Sequence, residues 1–278
     1  MDMNIVRKVV RAALKEDIGS GDLTTENFVP ESIEASGEFV ACEQCIVAGM
    51  PVVQAVFEEL NKQVKVVPII NDGQRAVANG VIAEIFGPAR SILTGERVAL
   101  NFLQRLSGVA TLTASFVEKV KGYNVEIKNT RKTTPGLRHL ERHAVAAGGG
   151  SNHRTGLYDG IILKDNHMKL LRGENLDEMV RRFRRSHPGL QVEIEAETID
   201  EARAALKANA DIIMLDNMSI DEMRCAVKHI NGKAIVEASG GVTINNVAEI
   251  AATGVDWISI GALTSNVRAI DIKLEFEI

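Results

Sequence analysis

Residues 191–217 read QVEIEAETIDEARAALKANADIIMLDN, and their order decides the fold. QVEIEA (191–196) and DIIMLD (211–216) are short, compact apolar runs of strand type, and TIDEARAALKA (198–208) between them is helical. A strand, a helix and a second strand joined by short loops make a βαβ unit, the building block of a parallel sheet. The rhythm continues on both sides. VEIKNT (125–130) and GIILK (160–164) precede the unit, and AIVEASG (234–240) and WISIGA (257–262) follow it. SIDEMRCAVKHI (219–230) and TINNVAEIAATG (243–254) supply the intervening helices. The runs are continuous rather than cleanly alternating, as expected of strands covered on both faces. Residues 111–269 are therefore predicted to form an α/β barrel, or an open, incomplete one.

Residues 1–110 have a different texture. NIVRKVVRAALKE (4–16) has helical spacing with cations between its apolar positions, and DIGSGDLTT (17–25) reads as a loop. From 34 to 95 the chain reads as short β-like runs, including VKVVPII (64–70) and VIAEIFGPARSIL (81–93), with NDGQ (71–74) as a turn signal. ERVALNFLQRLSGVATLTASFVEKVKG (96–122) is a long helical stretch with an expected break at Ser107–Gly108. The tail IDIKLEFEI (270–278) alternates with period two, which predicts a half-exposed strand returning to the first domain's sheet. No linker separates the two domains.

Composition excludes several classes. With 278 residues, 45% hydrophobic and 25% charged, the chain is an ordinary globular protein. Its formal net charge of −5 argues against a general nucleic-acid binder. No run approaches the roughly 20 apolar residues of a membrane span, and no signal peptide opens the chain, so a soluble cytoplasmic protein is expected. Cys42 and Cys45 form a CxxC, but the third cysteine, Cys225, cannot complete a four-cysteine zinc site; reduced structural thiols are expected.

In α/β barrels the chemistry sits at the carboxyl ends of the strands. Here those ends are polar one after another: Arg131–Lys132, then Lys164 followed by DNH, then Glu193 and Glu195, Asp216–Asn217, Glu237 with SGG, and Gly261. Arg131, Lys132, Arg154 and Lys164, with His153 beside them, concentrate positive charge suited to carboxylates. Glu195 and Asp216 are of the type that holds Mg²⁺ or sugar hydroxyls. ASGG (238–241) and GAL (261–263) have the composition of a phosphate cradle made of backbone N–H groups. Glu193 shares a strand side with Glu195, although only one of them need face the site. Arg138, Arg142 and His143 are spaced like a solvated helix face, and His139 and His229 read as surface residues.

EDIGSGDLTT, GERVALNFLQRLSGVAT, TRKTTPGLR, GGGSNHRTGLYDGIILKDNH, EIEAET, IMLDN and VEASGGVT, in this order, make the chain resemble the quinolinate phosphoribosyltransferases over essentially its whole length. Asn129, where Asp or Gly is more often met before TRK, is a minor departure. The resemblance implies an N-terminal α/β sandwich joined to an open, seven-stranded α/β barrel. It implies transfer of phosphoribosyl from phosphoribosyl pyrophosphate to quinolinate with loss of CO2, giving nicotinate mononucleotide for NAD biosynthesis, with Mg²⁺ as cofactor. It also implies a homodimer or larger homo-oligomer. Arg131, His153, Arg154 and Lys164 would surround the pyridine dicarboxylate, and Arg97 would come from the neighbouring subunit. Lys132, Glu195 and Asp216 would form the catalytic group at the ribose pyrophosphate, the two acids holding the metal. Ser239, Gly240, Gly241 and Gly261 would hold the 5′-phosphate. His153 reads as a carboxylate donor rather than a proton shuttle. The alternatives are a paralogous pyrophosphorylase with another acceptor, a barrel isomerase or aldolase using Lys164 as a Schiff base, and a non-catalytic phosphoribosyl pyrophosphate sensor.

Overall fold

The computed structural model describes residues 1–171 and 174–276; Arg172, Gly173, Glu277 and Ile278 lie outside the described residues. In chain order the elements begin with helices α1 (Met3–Ile18) and α2 (Leu23–Phe28) and strands β1 (Glu34–Ala41) and β2 (Cys45–Ile46). Helix α3 (Met50–Leu60), strands β3 (Lys65–Pro68), β4 (Arg75–Ala76) and β5 (Gly80–Pro88), and helix α4 (Ala89–Lys119) follow. The next are β6 (Glu126–Lys128), α5 (Arg138–Ala147), β7 (Ile161–Leu163), α6 (Asp165–Leu170) and α7 (Leu176–Ser186). Strands β8 (Val192–Ala196), β9 (Ile212–Asp216), β10 (Ile235–Ser239) and β11 (Trp257–Ser259) alternate with α8 (Ile199–Lys207), α9 (Ile220–Ile230) and α10 (Val247–Ala251). Helix α11 (Ala262–Ser265) and strand β12 (Ile272–Phe276) come last.

The chain forms two compact units, and a single cut at residue 110 does not describe them: residues 132–149 and those from Ala262 onward belong with residues 1–114. The physical reason is a buried carboxylate. Glu141 on α5 is fully buried and accepts from Arg105 on α4 at 2.9 Å and from the Thr134 N–H and hydroxyl at 3.0 and 2.8 Å. A buried charge is tolerable only when paired and hydrogen-bonded in this way, so the segment carrying Thr134 is bound to α4.

In the first unit an antiparallel sheet runs in the order β12-β1-β5-β3. β12 pairs with β1 in the register Phe39↔Leu274, so the expected returning strand is present over Ile272–Phe276. Phe39, Ile82 and Ile85 of the sheet and Val52, Val56 and Phe57 of α3 are buried, with the Phe39 and Phe57 rings 6.5 Å apart. NDGQ forms the expected turn, closed by Gln74 N–H to the Asn71 carbonyl at 3.0 Å, with Gly73 at φ +88°.

Three local expectations change. The β-like stretch 34–95 contains α3, whose N-terminal N–H groups at Gly49 and Met50 donate to the Asp72 carboxylate at 2.9 and 3.0 Å. A cap delivered from that far along the chain leaves no local signal. ARSIL (89–93) begins α4 rather than ending a strand, because Pro88 closes β5. No break occurs at Ser107–Gly108: Ser107 Oγ receives the Ala48 N–H at 3.1 Å, and a Cβ on Gly108 would lie 2.3 Å from the Arg268 carbonyl oxygen. The two residues serve close approach, not a kink.

The second unit carries a six-stranded parallel sheet in the order β6-β11-β10-β9-β8-β7. Three of its helices start on side-chain caps: Asn175 for α7, and reciprocal Thr198–Glu201 and Ser219–Glu222 pairs for α8 and α9. Ser151 adds a parallel bridge to Lys128 at the β6 edge, a seventh position for the sheet.

Replacing Gly108 with alanine should lower stability by about 1–3 kcal/mol through overpacking, although alanine is the better helix former. A raised Tm for Gly108→Ala would contradict the close approach.

Candidate active site

The parallel register decides which side chains meet. Glu193 pairs with Ile162 on one side and Ile212 on the other, and Glu195 pairs with Met214. Met214 pairs with Glu237, and Asp216 with Ser239. Glu237 pairs with Trp257, Trp257 with Glu126, and Lys128 with Ser151. Paired residues point to the same side of a sheet and side chains alternate along a strand. One face therefore carries Lys164, Glu193, Glu195, Asp216, Glu237 and Lys128, and the other packs Val192, Ile194, Ile213, Leu215 and Val236 under helices. Both faces are covered, as the compact runs suggest, but the inner face is polar.

The sheet curls around that face. Ser151 lies beyond β6, five strand positions from β8, which in a flat sheet would be about 24 Å. Yet His153 Nε2 is 3.1 Å from Glu193 Oε2 on β8 and 3.2 Å from Glu237 Oε2 on β10. This is an open barrel with a charged interior.

Around His153 the contacts are dense. Asn129, fully buried, accepts the His153 N–H at 2.9 Å and donates to Asn152 Oδ1 at 2.7 Å, so the amide at position 129 ties the end of β6 to the 150–154 segment. The His153 and Trp257 rings meet in a T-shaped arrangement with centroids 6.2 Å apart, and Lys128 Nζ lies 3.9 Å over the indole ring. Burial alone lowers the imidazole pKa, but hydrogen bonds and charge from Glu193 and Glu237 raise it to about 9. Burial likewise raises the Glu193 carboxyl. The Arg154 main-chain nitrogen lies 2.8 Å from His153 Nδ1, so that side of the ring faces the chain that follows it. His153 and Glu193, shifted by each other, therefore titrate together.

Of the residues singled out from sequence, the second unit brings most together. Arg154 donates to the Gly160 carbonyl at 2.8 Å; its pKa is lowered by burial first and then by the charge of Arg131, which places the two guanidiniums in one field. Lys164 is ion-paired with Glu195, and the oxygens of Glu195, Glu197 and Asp216 lie within 4.8 Å of one another. Hard carboxylate oxygens at that spacing fit Mg²⁺. Lys164, whose side chain is 45% exposed, is a wet, paired ammonium rather than the desolvated lysine a Schiff base needs. Ser239 ends β10, next to Asp216, and the chain then turns through Gly240 (φ +88°) and Gly241 (φ +59°). A Cβ on Gly240 would lie 2.2 Å from Asn217 Oδ1, so only glycine fits. Gly261 follows β11.

Arg97 and Lys132 belong to the first unit. Arg97 is exposed on α4 beside buried Val98, and the Lys132 carbonyl accepts the Thr264 hydroxyl at 2.8 Å. The solvated face expected around α5 is more engaged: His143 Nε2 is 2.7 Å from Asp72 Oδ2, and Glu141 is the buried anchor described above. His139 Nε2 accepts the Asp2 N–H at 3.0 Å. Both CxxC thiols are raised, Cys45 to about 11 by burial and then by Glu43, which leaves them protonated and unreactive. Sequence reading missed Glu237 as a partner of His153; the signal available was its place on the same strand side as Ser239.

The His153 ring should titrate near pH 9 by NMR rather than near 6.5, and Glu237→Gln should move the midpoint down. A raised folded pKa adds stability that is complete below about pH 6.5 and lost as pH rises through 9. A midpoint at the ordinary value in wild type would contradict the pairing of the ring with the two acids.

Residues 22–107 match the N-terminal domain of the quinolinate phosphoribosyl transferases, and residues 109–275 match the C-terminal domain. A probable nicotinate-nucleotide pyrophosphorylase [carboxylating] of Bacillus subtilis is 42% identical over 271 residues, covering 97% of this chain and 93% of that protein. A protein of the same description from Methanocaldococcus jannaschii is 41% identical, covering 96% of each. The solved structure of the nicotinate-nucleotide pyrophosphorylase from Francisella tularensis superposes with a TM-score of 0.94 at 38% identity, covering 100% of this chain and 98% of that one. With both domains matched in order across nearly its full length, the chain belongs to the quinolinate phosphoribosyl transferase family.

Proposed function

We propose that the chain transfers the phosphoribosyl group of phosphoribosyl pyrophosphate to quinolinate and releases CO2, forming nicotinate mononucleotide for NAD biosynthesis. The observation that carries this reading is the placement of Arg131 and Arg154 in one field beside a carboxylate-lined interior, in a chain that is acidic overall. Two guanidinium forks answer two carboxylates, each able to bond both oxygens of its partner. Lys164 adds a third positive charge, held by Glu195 and free to exchange that partner for substrate.

Lys132 serves the second anion, the ribose pyrophosphate, and its main chain is fixed by Thr264. Glu195 and Asp216 would hold Mg²⁺, which when bound supplies neutralisation of the departing pyrophosphate. Oxocarbenium character at the ribose is favoured by the same carboxylates. The turn at Ser239–Gly241 and the backbone at Gly261 offer N–H groups for the 5′-phosphate. Once the ring nitrogen has attacked, it is a pyridinium. The bond to the adjacent carboxylate then breaks, its electron pair stays on the ring carbon beside the positive nitrogen, and a proton replaces CO2. The protein's larger contribution is to hold the two reactants in line.

Arg97, exposed on α4, completes the dicarboxylate site of a neighbouring subunit in a homo-oligomer. Among the described residues no helix is long and apolar enough to cross a membrane.

With phosphoribosyl pyrophosphate and Mg²⁺, the purified protein should form nicotinate mononucleotide and CO2 from quinolinate and no product from nicotinate. Arg97→Ala and Arg131→Ala should each be inactive, and mixed oligomers of the two should regain activity through hybrid sites. No turnover of quinolinate by folded oligomer would overturn the reaction; active singles or silent mixed oligomers would overturn the shared site.

A further inference from the structure

Both ring nitrogens of His153 are engaged with the protein: Nε2 with Glu193 and Glu237, and Nδ1 with the Arg154 main-chain nitrogen. The ring is therefore committed to holding its own segment. That segment is tied to the inner face at further points. Ser151 Oγ donates to Glu126 at 2.6 Å, Glu126 also pairs with Lys128 at 3.1 Å, and Asn129 holds the His153 N–H. The ties end at Arg154, whose guanidinium Nη1 rests on the Gly160 carbonyl and whose Nε is buried without a hydrogen-bond partner.

We propose that Glu193 and Glu237 are positioning residues for Arg154: through His153 they brace the 150–154 segment across the barrel interior, so that the guanidinium is presented ready-made to a substrate carboxylate. The inference rests on Arg154 being a dicarboxylate ligand, as argued above. Glu193 is 2% exposed and Glu237 0%, and each keeps one Oε1 atom without a hydrogen-bond partner. Burying two carboxylates costs more than burying apolar side chains of the same volume, so stability alone does not account for them. Presenting an arginine does. Arg131 repels Arg154, and the charge of Glu193 acts in the opposite sense on that guanidinium, so the acids also allow two like charges to stand together before substrate arrives.

A cavity of about 400 Å³, lined by His153, Arg154, Glu193, Gln191 and Trp257 among others, lies on the amino-terminal side of the brace. It reaches Ile161 and Ile212, the first residues of β7 and β9, whereas Lys164, Asp216 and Ser239 stand at the opposite strand ends. The donor atoms of His153, Glu193 and Glu237 lie within 4.8 Å of one another, a spacing that also suits a metal ion. The charges of Lys128 and Arg154 around them oppose a divalent cation.

The test compares steady-state kinetics per folded active site for wild type, Glu237→Gln, Glu237→Ala and Arg154→Ala. Glutamine keeps an acceptor for the ring, so quinolinate KM should rise less than about threefold, whereas alanine should raise it about tenfold or more, as misplacement of a binding group does. In both, kcat and the KM for phosphoribosyl pyrophosphate should stay within about threefold of wild type. Should Glu237→Ala not fold, Glu237→Met keeps the volume and removes the acceptor, with the same expectation. An unchanged quinolinate KM in the alanine or methionine variant, an equal rise in both KM values, or a loss of folded protein alone would overturn the brace. Stoichiometric Zn²⁺ or Mn²⁺ binding that Glu237→Met abolishes would overturn it in favour of a metal site. If Arg154→Ala itself leaves quinolinate KM unchanged, the assignment of Arg154 to the dicarboxylate fails first, and the brace fails with it.

Discussion

Charge on the inner face of the parallel sheet is tolerable only in pairs, and that pairing organises the second unit. Lys164 stands on Glu195, His153 between Glu193 and Glu237, and Lys128 between Glu126 and the Trp257 ring. A buried charge left alone would cost several kcal/mol or shed its charge, so the buried Glu193 and Glu237 need their base at hydrogen-bond distance. The in-register ladder from β7 to β6 makes those meetings possible. A slip of one residue in any strand would turn its charges outward under the helices and bring apolar side chains in.

A net acidic chain can for the same reason present a strongly cationic surface to an anion. The charge of Glu193 counters, from the protein side, the effect of Arg131 on the Arg154 guanidinium. Groups already held at fixed positions need little reorganisation when charge develops during reaction, which is where such electrostatics are most effective. The first unit uses the same device for architecture. The Glu141 carboxylate, gripped by Arg105 and Thr134, anchors the loop that follows Lys132.

The repeated strand–helix rhythm was legible in the sequence because a parallel sheet writes its pattern locally: all six expected runs contain strands, and the strand ends carry the expected polar residues. The tail's alternation likewise marked β12. What escaped were features made by distant partners. Helix α3 takes its cap from Asp72, and the role of Ser107–Gly108 depends on Ala48 and Arg268. The burial of Glu193, Glu237 and Glu141 left no sign in the sequence, since it and their partners exist only after the sheet has curled and α5 has packed. Asn129, a departure from the usual pattern, makes sense only once its amide is seen holding both Asn152 and His153.

The central claim is that the paired interior presents Arg131, Arg154 and Lys164 to a pyridine dicarboxylate. A crystal structure of the protein with quinolinate, without phosphoribosyl pyrophosphate, tests it most directly. The account predicts the two carboxylates against those three cations, with Lys164 drawn from Glu195 and the His153 bridge to Glu193 and Glu237 intact. Quinolinate bound elsewhere, or bound with that bridge broken, would contradict it.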